Sequence, residues 1–98
     1  MSDHDLVRVL NRLADLLRQS GKNRQAEWFR LRLEVITRPT ATTEDVEAIK
    51  KELAKTTRGM GSLNDLVLRP DADSGLDKTV ANQQLGELAE ELYQLTRY

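Results

Sequence analysis

The chain has 98 residues but no cysteine, only two prolines and only four aromatic residues. Without cysteine it has no disulfide framework, no thiolate zinc site and no cysteine nucleophile. The single histidine, His4, lies near the N-terminus with no second soft ligand beside it, so we expect neither a metal site nor a general base there. These absences, in a chain too small for a deep multilayered cleft, favour a protein that is not an enzyme.

An excess of charge of one sign is also missing, because 15 Lys and Arg balance 16 Asp and Glu. A general nucleic-acid binder needs surplus Lys and Arg on one face, so we do not expect a nucleic-acid partner. The charges are nevertheless unevenly distributed: residues 22–38 contain five basic and two acidic residues, whereas residues 59–98 contain seven acidic and three basic ones. The second segment is therefore basic and the C-terminal segment acidic.

Long apolar runs are absent as well. No stretch approaches 18 apolar residues, and the first residues, Met-Ser-Asp-His-Asp, lack the basic start and apolar run of a secretory signal. The sequence therefore predicts a cytoplasmic protein without a membrane partner.

Apolar residues at helical spacing indicate four helices, at about residues 3–20, 23–37, 43–57 and 77–97. Gly21 can supply the left-handed residue that ends the first helix, and Thr42 with Asp45 resembles a capping box at the start of the third. We therefore predict an all-α fold. It is a single domain over residues 1–98, a small four-helix up-and-down bundle with an irregular packed segment between helices 3 and 4.

The second helix is apolar on two sides. One stripe contains Ala26, Phe29, Leu33 and Ile36, and a second, roughly opposite stripe contains Trp28, Leu31 and Val35. Such a helix either lies centrally between other helices or keeps one face for a partner. We favour the central position, and the Trp28, Leu31 and Val35 face is the alternative partner surface, for example the seam of a homodimer.

Residues 58–78 form the irregular segment. Leu66, Val67 and Leu68 are too apolar for a solvated loop, so this stretch is expected to pack on the bundle, as one helical turn capped by Ser62 or as a short extended segment. The glycines before Ser62 suggest a phosphate-binding loop, but the preceding strand of a nucleotide fold is missing. A helix end followed by a packed turn explains them without a ligand.

Three aspartates in the same segment, Asp71, Asp73 and Asp77, are spaced like the start of a calcium loop. The pattern fails further on, where Leu76 stands in place of the required glycine and Asn82 in place of the glutamate. The ordinary interpretation is a solvated connector that also caps the last helix. We expect no metal and no cofactor.

The last helix carries a leucine stripe, Leu85, Leu88, Leu92 and Leu95, with Glu87, Glu90 and Glu91 on the far side. The like-charge pair at i and i+4 costs about 0.2–0.5 kcal/mol, and Gly86 costs roughly 1 kcal/mol relative to alanine. A purely structural surface does not require these losses.

The chain resembles a small bacterial family of unknown function. The resemblance is carried by Leu16-Leu17 and Gly21 ahead of Ala26-Glu27-Trp28, and then by Arg-Gly-Met-Gly-Ser-Leu-Asn-Asp-Leu-Val-Leu at residues 58–68. It spans about residues 6–95, and its specific part is the 59–68 run, whose motif residues are Gly59, Met60, Gly61, Ser62, Asn64 and Asp65. Leu63 stands where many members have an aromatic residue.

Members of that family resemble small proteins encoded beside polymorphic toxins. The resemblance therefore implies a bacterial immunity protein that neutralises a cognate toxin of a contact-dependent or secreted system by direct binding. Such a protein needs no catalytic residue. Because nuclease toxins have basic active sites, we predict that the acidic C-terminal half meets the toxin through Asp71, Asp73, Asp77, Glu87, Glu90 and Glu91.

Two other functions remain open on the sequence alone. A homodimeric helical interaction module would use the Trp28, Leu31 and Val35 face. A nucleic-acid-binding regulator would use the basic second segment, and a steep salt dependence of DNA binding would identify it.

Overall fold

The structure, a computed structural model, describes residues 3–57, 66–70 and 75–96. Its four α-helices form a small all-α bundle, as predicted. They are α1 Asp3–Gln19, α2 Asn23–Thr37, α3 Thr43–Ala54 and α4 Lys78–Thr96, and the 3-10 turn Lys55–Thr57 follows α3. The predicted bounds of α2 coincide with the observed ones. The third helix is shorter than predicted because its last turn tightens into the 3-10 conformation.

The end of α1 is fixed by Gly21, as predicted. This glycine has a φ of 77°, the left-handed conformation that side-chain-bearing residues avoid. Its N–H donates to the carbonyl of Arg18 at 3.1 Å, and the N–H of Lys22 donates to the carbonyl of Leu17 at 2.8 Å. These two bonds define a Schellman motif, which turns the chain directly into α2.

The start of α3 is fixed by the predicted capping box. The N–H of Asp45 donates to the Thr42 hydroxyl at 3.1 Å, and the N–H of Thr42 donates to the Asp45 carboxylate at 3.0 Å. Two backbone donors that a helix start leaves unpaired are thereby satisfied, with aspartate serving in place of the usual glutamate.

The most buried helix is α1, not α2, so the prediction of a central second helix was wrong. Six apolar residues of α1 are buried, namely Leu6, Val9, Leu10, Leu13, Leu16 and Leu17. In α2, only Ala26 and Phe29 are buried. The helices contact one another in a ring, in which α1 packs against α2 and α4, and α3 packs against the same two helices. On the second apolar stripe of α2, Arg32 of the same helix lies over Trp28. Trp28 and Val35 are also partly buried against the core.

Contacts along α1 show that α4 runs antiparallel to it. Arg8 near the start of α1 pairs with Glu91 near the end of α4, while Gln19 at the other end of α1 lies in the same groove as Gln84. The connections from α1 to α2 and from α2 to α3 are short, as is typical of an up-and-down arrangement. None of the described helices combines the length and the hydrophobicity needed to cross a membrane.

Residues 66–70 of the irregular segment pack on the bundle as predicted and are not helical. Leu68 is completely buried in the core, beside partly buried Leu66. The side-chain amide of Asn82 in α4 binds the backbone of Leu68: its Oδ1 accepts from the Leu68 N–H at 2.7 Å, and its Nδ2 donates to the Leu68 carbonyl at 3.0 Å. Ser62, the predicted cap of a helical turn, lies outside the described residues.

Candidate binding surface

Asp77, one of the predicted partner-binding residues, caps α4. Its Oδ2 accepts from the backbone N–H of Thr79 at 3.1 Å and of Val80 at 3.3 Å. A carboxylate at this position also interacts favourably with the positive end of the helix dipole. Asp77 therefore has a structural function whether or not a partner contacts it.

Glu87 and Glu90 form an exposed carboxylate ridge on the side of α4 that faces away from the core. Within the described part of the chain, both accept hydrogen bonds only from glutamines one turn away on the same helix. Gln94 donates to Glu90 at 3.0 Å, and Gln83 donates to Glu87 at 3.5 Å. Neutral amides do not cancel their charge, so two negative charges remain open to a partner. We call Glu87 and Glu90 the α4 ridge.

Glu91 differs from the α4 ridge because it is held by a cation. Arg8 of α1 donates to its carboxylate at 2.6 Å, across the contact between the two helices. This hydrogen bond and the charge of Glu91 raise the pKa of Arg8 above its ordinary value. Glu91 is thus partly neutralised and ties α4 to α1.

A groove of about 340 Å³ runs between α1 and α4 beside the α4 ridge. Leu16 and Leu88 form its floor, and its polar lining consists of Arg12, Asp15, Gln19, Gln84, Glu87 and Glu91. Among the described residues, Arg12 has no ion-pair partner, whereas Asp15 pairs with Arg18 at 3.1 Å. The contribution of α1 to this surface was missed from the sequence. The spacing of Arg8, Arg12 and Asp15 along one edge of the helix could have indicated it.

A second groove, of about 380 Å³, lies between α1 and α2. Glu27 and Arg30 of α2 line this groove, and Arg30 forms ion pairs with both Glu27 and Glu34. The hydrogen bond from Arg30 lowers the pKa of Glu27, and both carboxylates raise the pKa of Arg30. The charges along this groove therefore cancel one another, unlike those of the α4 ridge.

The alternative partner face on α2 is largely covered. Trp28 and Val35 are half-buried against the core, and only Leu31, at 43% exposure, is open among the three. The guanidinium of Arg32 lies 4.0 Å from the centre of the Trp28 ring, a cation–π contact. Arg32 also binds Glu52 of α3 at 3.0 Å, so it joins Trp28 to the neighbouring helix.

Several residues singled out from the sequence lie outside the described residues. These are Asp71 and Asp73 of the predicted acidic surface, and the motif segment with Gly59, Met60, Gly61, Ser62, Asn64 and Asp65. His4 lies exposed on α1. In the described ranges, no group of three or more His, Asp or Glu residues could hold a metal ion.

Comparisons with known proteins give no further guide to this surface. No protein-family model, no curated protein and no solved structure matches the chain.

Proposed function

We propose that the chain is a non-catalytic protein-binding domain that neutralises a cognate bacterial toxin by direct binding. The observation that carries this proposal is the α4 ridge, whose two carboxylates have no cationic partner within the described residues. Residues 58–68 resemble a bacterial family whose members in turn resemble proteins encoded beside toxins, which supports the same function.

The partner surface that fits the α4 ridge is a basic one. A toxin that cleaves nucleic acid binds phosphates with Lys and Arg, and carboxylates on a facing surface can occupy the same cations. The opposite charges would also speed the encounter, more strongly at low than at high ionic strength. Binding in this manner blocks the toxin's active site and requires no chemistry from the chain itself.

The backbone beside the α4 ridge leaves room for close contact. Gly86 is exposed, and a Cβ placed there would meet no other atom within 4 Å. A partner can thus approach the helix backbone next to Glu87. Close contact with a partner at Gly86 would offset the roughly 1 kcal/mol of helix stability that glycine costs relative to alanine.

The proposal is tested first by finding the partner and its effect. The tagged chain is used to isolate a binding protein from its native lysate, and that protein is then expressed in bacterial cells with and without the chain. We expect growth arrest when the isolated protein is expressed alone and normal growth when the chain is present. A partner whose expression never slows growth would contradict the immunity function.

The α4 ridge is then tested by charge reversal. Glu87→Lys/Glu90→Lys should slow association with the isolated toxin by roughly tenfold or more at low salt, with a smaller effect at high salt. The matched control is Glu44→Lys/Glu47→Lys, which changes the same charge at the same spacing on α3. Glu91 is left unchanged because Arg8 holds it. Equal association rates for the two variants would show that binding uses another surface.

A further inference from the structure

The segment Leu66–Pro70 has the burial pattern of an extended strand. Leu68 is buried, Val67 and Arg69 on either side of it are exposed, and Leu66 and Pro70 are half-buried. Alternation with a period of two is the pattern of extended backbone, in which successive side chains point to opposite faces. Proline at position 70 also disfavours the helical conformation at Arg69.

The hydrogen bonds of Leu68 assign the two edges of this strand. In extended backbone the N–H and C=O of one residue point to the same edge, and those of its neighbours point to the opposite edge. Both groups of Leu68 bind the side-chain amide of Asn82, which occupies the inner edge much as a neighbouring strand would. The N–H and C=O of Val67 and of Arg69 therefore face the outer edge.

The outer edge has no hydrogen-bond partner among the residues that the structure describes. Among residues 3–57, 66–70 and 75–96, nothing makes a hydrogen bond to the backbone of Val67 or Arg69. Val67 is 57% exposed, the highest value among the large apolar residues that the structure describes as exposed. An unpaired strand edge beside an exposed β-branched residue is a template for addition of another strand.

We propose that the outer edge of Leu66–Pro70 binds an extended peptide segment of another protein by strand addition. In antiparallel pairing, the peptide residues opposite Val67 and Arg69 each exchange two hydrogen bonds with the chain, which satisfies all four exposed backbone groups. An acidic residue opposite Arg69 and a β-branched residue opposite Val67 complete the match. This site is separate from the α4 ridge and does not depend on it.

A peptide segment fits this edge better than a second copy of the chain does. Pairing of two copies would place both Leu68 side chains on the same face of the two-stranded ribbon, because directly opposite residues of an antiparallel pair share a face. Each Leu68 enters its own core, so two helical bundles would have to lie under strands only about 4.8 Å apart. A single extended segment has no such bulk.

The probe that tests this proposal is a blocked synthetic peptide, acetyl-Thr-Glu-Thr-Val-Thr-amide. In antiparallel pairing it sets its Glu opposite Arg69 and its Val opposite Val67. Backbone amide NMR is recorded with the intact chain, beginning with a dilution series without peptide. We expect a dissociation constant on the order of 1 mM, as befits a small interface, with shifts at the Val67 and Arg69 amides.

Two matched controls make the test specific. The same peptide methylated on the backbone nitrogens of its Glu and Val cannot donate to the chain and should cause no shift. A peptide with Lys in place of Glu should bind about two- to fivefold more weakly, and Arg69→Glu should reverse that preference. The amide of Leu68 should change little, because it is bound to Asn82 in every case.

Three outcomes would overturn the proposal. Equal shifts with the methylated peptide would mean that backbone pairing is not involved. If the chemical shifts of the Val67 and Arg69 amides stayed unchanged at the highest soluble peptide concentration, the edge would not accept a strand. Shifts that appear on concentrating the chain alone would identify a second copy as the occupant.

Discussion

Asn82 binds both backbone polar groups of Leu68, at 2.7 Å and 3.0 Å, across fourteen residues of chain. Leu68 is completely buried, so its N–H and C=O cannot be satisfied by bulk water. Burial of such groups without partners is costly, and the amide of Asn82, which carries both a donor and an acceptor, satisfies both of them. Asn82 is thus the residue that allows the segment before α4 to enter the core.

Substitution of Asn82 by alanine should therefore destabilise the fold by about 2–3 kcal/mol, because it leaves a buried N–H and a buried C=O without partners. The measurement is urea denaturation followed by circular dichroism at 222 nm. Asn82→Asp retains the acceptor for the Leu68 N–H and should cost less. Gln83→Ala, at the adjacent exposed position, is the control. If Asn82→Ala were as stable as Gln83→Ala, the pairing with Leu68 would contribute nothing.

Gly86→Ala should stabilise α4 by roughly 1 kcal/mol, because alanine is the better helix former and its Cβ meets no atom within 4 Å. For a domain of this size that corresponds to a rise in Tm of about 4–8 °C, measured by thermal denaturation. Gly21→Ala is the matched control. Its Cβ also meets nothing, but its φ of 77° disfavours alanine, so Tm should fall. A fall with both substitutions would refute the assignment of Gly86 to a regular helix.

The helices could be predicted from the sequence because their signals are local. Apolar residues at intervals of three and four, the capping box of Thr42 and Asp45, and the glycine at position 21 each act within one or two turns. The cap on α4, Asp77, also follows from its position before a periodic segment. Nothing distant in the chain competes with these preferences, and the four helices formed where they were expected.

The position of α2 could not be predicted in the same way. Its two apolar stripes indicated either a central helix or a face kept for a partner, but periodicity does not decide between these two positions. In the structure, Arg32 lies over Trp28 and pairs with Glu52 of the neighbouring α3. Trp28 and Val35 are also partly buried against the core. A long arginine can shield an aromatic ring with its stem and charge, and it looks like a solvated residue in the sequence.

The candidate site was predictable in part, because the α4 ridge follows from helical spacing alone. The ion pair between Arg8 and Glu91 joins residues that are 83 positions apart, and the contacts of Asn82 also cross between elements. Such pairs depend on how the helices pack. In the sequence, Asn82 stands where a calcium loop would have its glutamate, whereas its function in the structure depends on the buried backbone of Leu68.

Ser20→Ala should stabilise the protein by about 1 kcal/mol. Ser20 is buried at 6% exposure, and its hydroxyl has no hydrogen-bond partner among the described residues, so its removal relieves a desolvation cost. Thr96→Val is the matched control, because the buried Thr96 hydroxyl donates to the Leu92 carbonyl at 2.7 Å and its loss should cost about 1 kcal/mol. Chemical denaturation of both variants measures the change in the free energy of unfolding. A change of the same sign in both variants would contradict the prediction.

The carboxyl of Glu27 should titrate below its ordinary pKa, because Arg30 donates to it and favours the charged form. A carboxyl whose pKa is lowered by folding stabilises the folded state above its unfolded pKa, near 4.3, and this contribution disappears as the pH falls through the folded value.

Carboxyl-detected NMR titration measures the pKa of Glu27 directly. Arg30→Gln should raise it, and the difference in stability between the two proteins should be present at pH 6 and vanish at low pH. Both side chains are about half exposed, so added salt should reduce the shift. An unchanged pKa for Glu27 in the Arg30→Gln variant would show that this ion pair does not persist in solution.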